Sequence, residues 1–174
     1  MLPSRIYLIG MPGAGKTTLG RSLALKINYH FVDLDQLIQA RENMTIADMF
    51  ACKGEAFFRQ KEREALHETF KLSKCVVATG GGTPCFFDNM EQINSYGVSV
   101  FIQVPLSVIA SRVEQEKQQR PLLATQSAEA TLEKLQQLYS QRLSCYNQAK
   151  ITVSGDHLTA DLLYNHLWKA FQLP

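Results

Sequence analysis

Apolar and polar positions follow two periods along this chain. Short uninterrupted apolar runs read as buried strands, and longer stretches with an apolar residue every third or fourth place read as helices. The first run, Ile6-Tyr7-Leu8-Ile9, predicts a strand, and a helix is expected from Thr18 through Leu25. Residues 31–35 predict a second, short strand ending in the carboxylates Asp33 and Asp35. Thr45 suits an N-cap for a helix over 46–53, with Asp48 closing an acidic capping box and Gly54 stopping it. An amphipathic helix over 55–70 follows, carrying Phe57, Phe58, Ala65, Leu66 and Phe70 on its apolar side.

The run Cys75-Val76-Val77-Ala78 is apolar at every position, as strands buried on both faces of a parallel sheet are. It stops at Gly80-Gly81-Gly82. Residues 98–104 predict a fourth strand, ended by Pro105, and Leu106 opens a helix to about Val113. Periodicity vanishes from 114 to 126, which fits either a solvated loop or a mobile lid carrying Arg120. Ser127 suits the cap of a long helix over 128–148, in which Leu132, Leu135, Leu138, Tyr139 and Leu143 form a core-facing stripe. Residues 150–153 predict a last strand, and Thr159 a cap for a terminal helix. Five strand signals alternating with helices predict an α/β fold, a single domain over 1–174 with a five-stranded parallel sheet and helices on both faces. Ligands of such a sheet bind beyond the carboxyl ends of its strands.

Three of those ends carry chemistry. Gly10-Met11-Pro12-Gly13-Ala14-Gly15-Lys16-Thr17 has the G-x-x-x-x-G-K-[ST] spacing directly after the first strand. Its glycines allow consecutive amides to point inward around an anion, as Gly13, Ala14 and Gly15 would, and Thr18 extends the cradle into the helix N-terminus. Lys16 supplies charge for the β- and γ-phosphates and the Thr17 hydroxyl a magnesium ligand. An ordinary glycine-rich turn would not account for Lys16 and Thr17. The second end carries Asp33 and Asp35, one carboxylate for a metal and one for an acceptor hydroxyl. The third is the glycine triplet, which lets a ligand approach the backbone closely.

Charge narrows the partners. Eighteen basic and sixteen acidic side chains leave a net charge of +2, too little to imply nucleic acid. No apolar run has membrane-spanning length, and the four cysteines, far apart in sequence without C-x-x-C pairing, fit free thiols in a reducing cytoplasm. The four histidines show no ligand spacing. The buried strand 75–78 ends in Thr79 rather than the Asp of motor ATPases, and no N-K-x-D guanine signature is present. Transfer of a phosphoryl group to a small molecule is favoured.

Six stretches in order strengthen this reading: the phosphate loop 10–17, Asp33-Leu34-Asp35, Phe58-Arg59-Gln60-Lys61-Glu62, Gly80-Gly81-Gly82, Arg120-Pro121-Leu122-Leu123, and Arg142-Leu143-Ser144-Cys145-Tyr146. From Ile6 to about Val153 the chain resembles the shikimate kinase family. The resemblance implies a P-loop kinase fold similar to nucleoside monophosphate kinases, and magnesium-dependent transfer of the ATP γ-phosphoryl group to the 3-hydroxyl of shikimate. It implies that Asp35, Arg59, Gly80, Gly81, Gly82 and Arg142 hold shikimate between walls of Phe50 and Phe58, and that Glu62 braces Arg59. By the same resemblance Asp33 joins Thr17 at magnesium, Arg112 stacks on adenine, and Lys16, Asp35 and Arg120 are catalytic. Guanidinium forks suit a carboxylate better than lysine would. On residues alone, Arg142 could equally cap its helix. A cytoplasmic monomer with no nucleic-acid or membrane partner is expected. Gluconate kinase and adenylate kinase share the phosphate loop without explaining the triple glycine together with Arg142 and Tyr146, and a silent nucleotide-binding module would be expected to have lost at least one of these charges.

Overall fold

The computed structural model describes residues 2–115 and 127–171. Its centre is β1 (Arg5–Ile9), flanked by β3 (Cys75–Ala78) on one side and β4 (Val98–Gln103) on the other. The edges are β2 (His30–Asp33) and β5 (Ile151–Ser154), giving the order β2-β3-β1-β4-β5 with every pairing parallel. All of β3 and residues 6–9 of β1 are buried, as they must be when both faces of a sheet are covered. The seven helices among the described residues are α1 (Lys16–Ile27), α2 (Leu34–Glu42), α3 (Ile46–Thr69), α4 (Asn89–Tyr96), α5 (Leu106–Gln115), α6 (Ala128–Tyr146) and α7 (Ala160–Phe171). None is long and apolar enough to cross a membrane.

Register places the site. Leu8 and Asp33 both pair with Ala78, so β1, β2 and β3 end level with one another. Thr79 secures the exit, its N–H and hydroxyl both donating to the Leu8 carbonyl at 3.1 Å. The chain leaves β1 toward β2 and leaves β3 toward β4, in opposite directions from neighbouring strands, and such a divergence opens a crevice at their carboxyl ends.

Most predicted elements are present within a residue or two, and the differences have local causes. The second strand stops at Asp33, not at Asp35. Asp33 is the N-cap of α2, its carboxylate accepting from the Gln36 N–H at 3.1 Å, and Asp35 lies in the first turn of that helix. Gly54, at φ 82°, ψ 168°, breaks α3 into the two predicted helices, and Thr45 caps the first by accepting from the Asp48 N–H. Helix α4 and the 3-10 turn Thr83–Cys85 were not predicted. The polar stretch 114–126 lies outside the described residues from 116 onward, and Arg120 with it.

Candidate functional site

The phosphate loop holds its shape through glycines at positive φ, Gly13 at 83° and Gly15 at 90°, and Gly15 is also the N-cap of α1. Lys16 begins that helix almost wholly buried, its ammonium donating to the Gly10 and Met11 carbonyls at 2.8 Å each. The lysine is thereby folded back along the loop it serves. The Thr17 hydroxyl donates to Asp33 Oδ2 at 2.7 Å, which joins the two predicted metal-side residues directly. Beside the loop lies a pocket lined by Gly13, Ala14, Gly15, Thr18, Arg112 and Leu158. Arg112 spans it, donating to the Gly13 carbonyl at 3.3 Å and the Asp156 carbonyl at 3.1 Å. The arginine thus ties the phosphate loop to the segment following β5, whose contribution through Asp156 and Leu158 was not predicted.

Across the crevice Asp35 is partly buried, and its Oδ1, itself shut off from solvent, has no hydrogen-bond partner. Burial is the main cause that raises its pKa to about 6; Glu62 and Asp33 push the same way, and Lys16 and Arg59 oppose them. One carboxylate therefore feels both the lysine of the phosphate loop and the arginine of α3.

Arg59 is built in from every side. Its Nη1 donates to Glu62 Oε2 at 2.6 Å, and its Nε and Nη2 donate to Glu55 Oε1 at 3.1 and 2.9 Å. Glu62, 1% exposed, also accepts from the Thr83 hydroxyl at 2.6 Å, so the bracing expected of it is observed. The guanidinium lies 4.0 Å from the ring centre of Phe86 and 5.4 and 5.8 Å from those of Phe58 and Phe50. Phe86 was missed, because an aromatic following a Thr-Pro-Cys turn has no pattern that distinguishes it from its neighbour Phe87. Arg142, on the other side, lies near the Tyr146 hydroxyl at the end of α6 and acts on it electrostatically.

Packing within the protein itself calls for the glycine triplet. A Cβ on Gly80 would come within 2.8 Å of Asp35 Oδ1 and 2.7 Å of Glu62 Oε1; on Gly81, within 2.6 Å of Pro12 Cδ; on Gly82, within 2.7 Å of Arg59 Nη1. The space that the missing side chains leave is taken by the site's own residues. Tyr146 adds a clamp, its buried hydroxyl donating to the Gly81 carbonyl at 2.6 Å. The sequence pattern contains Tyr146 but assigns it no task. The described residues therefore collect into one crevice with a phosphate side (Gly13, Ala14, Gly15, Lys16, Thr17, Thr18, Asp33, Arg112) and an acceptor side (Asp35, Phe50, Phe58, Arg59, the triplet, Arg142).

A parallel sheet of this order with a phosphate loop on its central strand, and with Asp35 and the braced Arg59 across from that loop, defines a P-loop phosphotransferase of the small-molecule type. The comparisons narrow the class. The family model described as shikimate kinase matches residues 12–172. A shikimate kinase from Phocaeicola vulgatus is 44% identical over 155 residues, 89% of each chain. Among solved structures, shikimate kinase from Bacteroides thetaiotaomicron superposes with a TM-score of 0.91 at 38% identity, covering 98% of this chain and 99% of that one. Shikimate kinase from Acinetobacter baumannii, in complex with shikimate, gives 0.86 at 33% identity over 95% and 92%. The chain belongs to the shikimate kinase family. A gluconokinase from Sinorhizobium meliloti, at 15% identity and a TM-score of 0.58, shares the fold alone.

Proposed function

We propose that the protein transfers the γ-phosphoryl group of ATP to the 3-hydroxyl of shikimate, giving shikimate 3-phosphate and ADP. The observation that carries this reading is Asp35, a partly buried carboxylate within electrostatic reach of Lys16 on the phosphate side and Arg59 on the acceptor side. A hydroxyl held against that carboxylate can donate to it and lose its proton to it as the bond to phosphorus forms. A carboxylate with a pKa of about 6 is a stronger base than an ordinary one and is still ionised at pH 7.5. Lys16 follows charge to the transferring group, leaving the carbonyls that hold it for phosphate oxygens. Arg59 and Arg142 grip the shikimate carboxylate, and Phe50 and Phe58 flank its ring.

Magnesium fits the residues present, since the Thr17 hydroxyl and the Asp33 carboxylate already touch and both are oxygen donors of the kind a hard cation takes. When bound with ATP it would supply neutralisation of phosphate charge, with Thr17 and Asp33 as the residues that would hold it. We assign adenine to the pocket under Arg112, and to Arg120 the role of meeting the γ-phosphoryl group when both ligands are bound. A reducing cytoplasm agrees with four free thiols. The test is coupled ADP release with MgATP and shikimate, gluconate or AMP in parallel: shikimate alone is expected to accelerate it, and equal rates with and without shikimate would overturn the reading.

A further inference from the structure

Two cysteines that are distant in sequence are brought together beside the acceptor pocket. Cys85 closes the turn after the glycine triplet, its N–H donating to the Gly82 carbonyl at 2.8 Å. Cys145 directly precedes Tyr146, whose hydroxyl holds the Gly81 carbonyl. These two hydrogen bonds fix both cysteines against one short stretch of chain where α6 packs on the 83–85 turn, and there the two thiols are neighbours. Both are free and half-buried, whereas Cys75 is buried inside β3 and Cys52 is exposed on α3.

We propose that Cys85 and Cys145 are a modification site, a dithiol that hydroperoxides oxidise to an intramolecular disulfide joining the turn after the glycine triplet to the helix that carries Arg142.

The surroundings divide the labour between the two sulfurs. The neighbouring Cys145 thiol, then Arg142 and Arg59, hold the Cys85 thiol below its ordinary pKa against burial and Glu62, while the same proximity pushes Cys145 up. Cys85 is accordingly the attacking group. Its thiolate takes the outer oxygen of ROOH, forming S–O as O–O breaks, and the departing alkoxide is protonated to ROH. The Cys145 sulfur then attacks the Cys85 sulfenic acid, forming S–S as S–O breaks, and hydroxide leaves with the Cys145 proton as water. Two thiols and one hydroperoxide give one disulfide, one alcohol and one water; the sulfurs lose two electrons and the peroxide gains them. A disulfide between them requires the sulfurs to close to about 2.05 Å.

The test reads covalent structure and so stands apart from the substrate assignment. The reduced, full-length protein is treated with one equivalent of hydrogen peroxide, then analysed by intact mass and non-reducing digestion. A loss of about 2 Da, one cross-linked peptide pair containing Cys85 and Cys145, and reversal by dithiothreitol are expected. Cys145→Ser should stop at the sulfenic acid, a gain of about 16 Da at Cys85 that dimedone captures, and Cys85→Ser should slow peroxide consumption at least about tenfold. Oxygen added at Cys85 of the unaltered protein without a cross-link, or oxidation of Cys52 while the pair stays reduced, would overturn the proposal. The unaltered protein decides the question even where a variant fails to fold.

Discussion

Asp35 combines two demands that oppose each other. Its folded pKa, about 6, lies above the ordinary 3.8, so between those values the folded chain binds more protons than the unfolded one. Stability contributed through this group is therefore greatest below about pH 4 and declines as pH rises to about 6, the deficit at neutral pH reaching about 3 kcal/mol. Asp35→Asn removes the buried charge at nearly constant shape. It is expected to raise urea stability of the ligand-free protein by about 1–3 kcal/mol at pH 7.5, with the gain shrinking toward pH 4, while ATP affinity persists and turnover is lost. An Asn variant less stable than the unaltered protein at pH 7.5 would contradict this account of Asp35.

Glu62 allows a sharper check on the same atom. It raises the pKa of Asp35 and pairs with Arg59, so Glu62→Gln acts on both. The acid limb of kcat/KM, expected near pH 6 in the unaltered enzyme, should move to lower pH, because a repelling charge is gone. The KM for shikimate should rise as Arg59 loses a buried partner, even though Glu55 still holds it. A limb that stays in place would show that Glu62 positions Arg59 without tuning Asp35.

At the scale of elements, glycines that look alike in the sequence do different work. Gly54 sits at φ 82°, ψ 168°, and a Cβ added there would meet nothing within 4 Å, so Gly54→Ala should cost about 1–3 kcal/mol through the backbone alone and leave both KM values unchanged. Gly81 has an ordinary φ, but its missing Cβ is where Pro12 of the phosphate loop packs. Gly81→Ala should cost about 1–3 kcal/mol by overpacking and disturb ATP and shikimate binding together, because the two loops must separate. Urea titration alongside both KM values distinguishes the pair.

Legibility follows the same division. The strands and the phosphate loop were readable because burial on both faces makes a strand uniformly apolar and phosphate chemistry needs fixed residues at fixed spacing. Helix α2 was hidden because Asp33 serves as strand end, helix cap and Thr17 partner at once; the Asp33-x-x-Gln36 spacing was the available sign. The close packing around the triplet was not readable, since Pro12, Glu62 and Arg59 reach it from three different elements. Cys85 and Cys145 likewise read as separate thiols, because no local period links a turn after β3 to the end of α6.

Across the whole molecule, Tyr146 is the point where the two halves of the site meet. Its hydroxyl donates to the Gly81 carbonyl at 2.6 Å, lies 3.9 Å from the Met11 sulfur of the phosphate loop, and has Arg142 nearby. Its ring packs on Phe101 of β4 with centroids 5.0 Å apart, so the contact is anchored to the central sheet. Tyr146→Phe keeps that packing and removes only the hydroxyl. The Gly81 carbonyl then loses a buried donor, which should cost about 1–3 kcal/mol in urea. Arg142 loses a polar neighbour, so shikimate affinity should fall. The Lys16 contacts and the pocket under Arg112 do not involve the hydroxyl, so ATP affinity should change little. Separate equilibrium titrations of the two ligands decide the matter. A variant that loses ATP and shikimate equally would mean that the hydroxyl supports the crevice as a whole; loss of shikimate alone is the result expected if it aims the arginine.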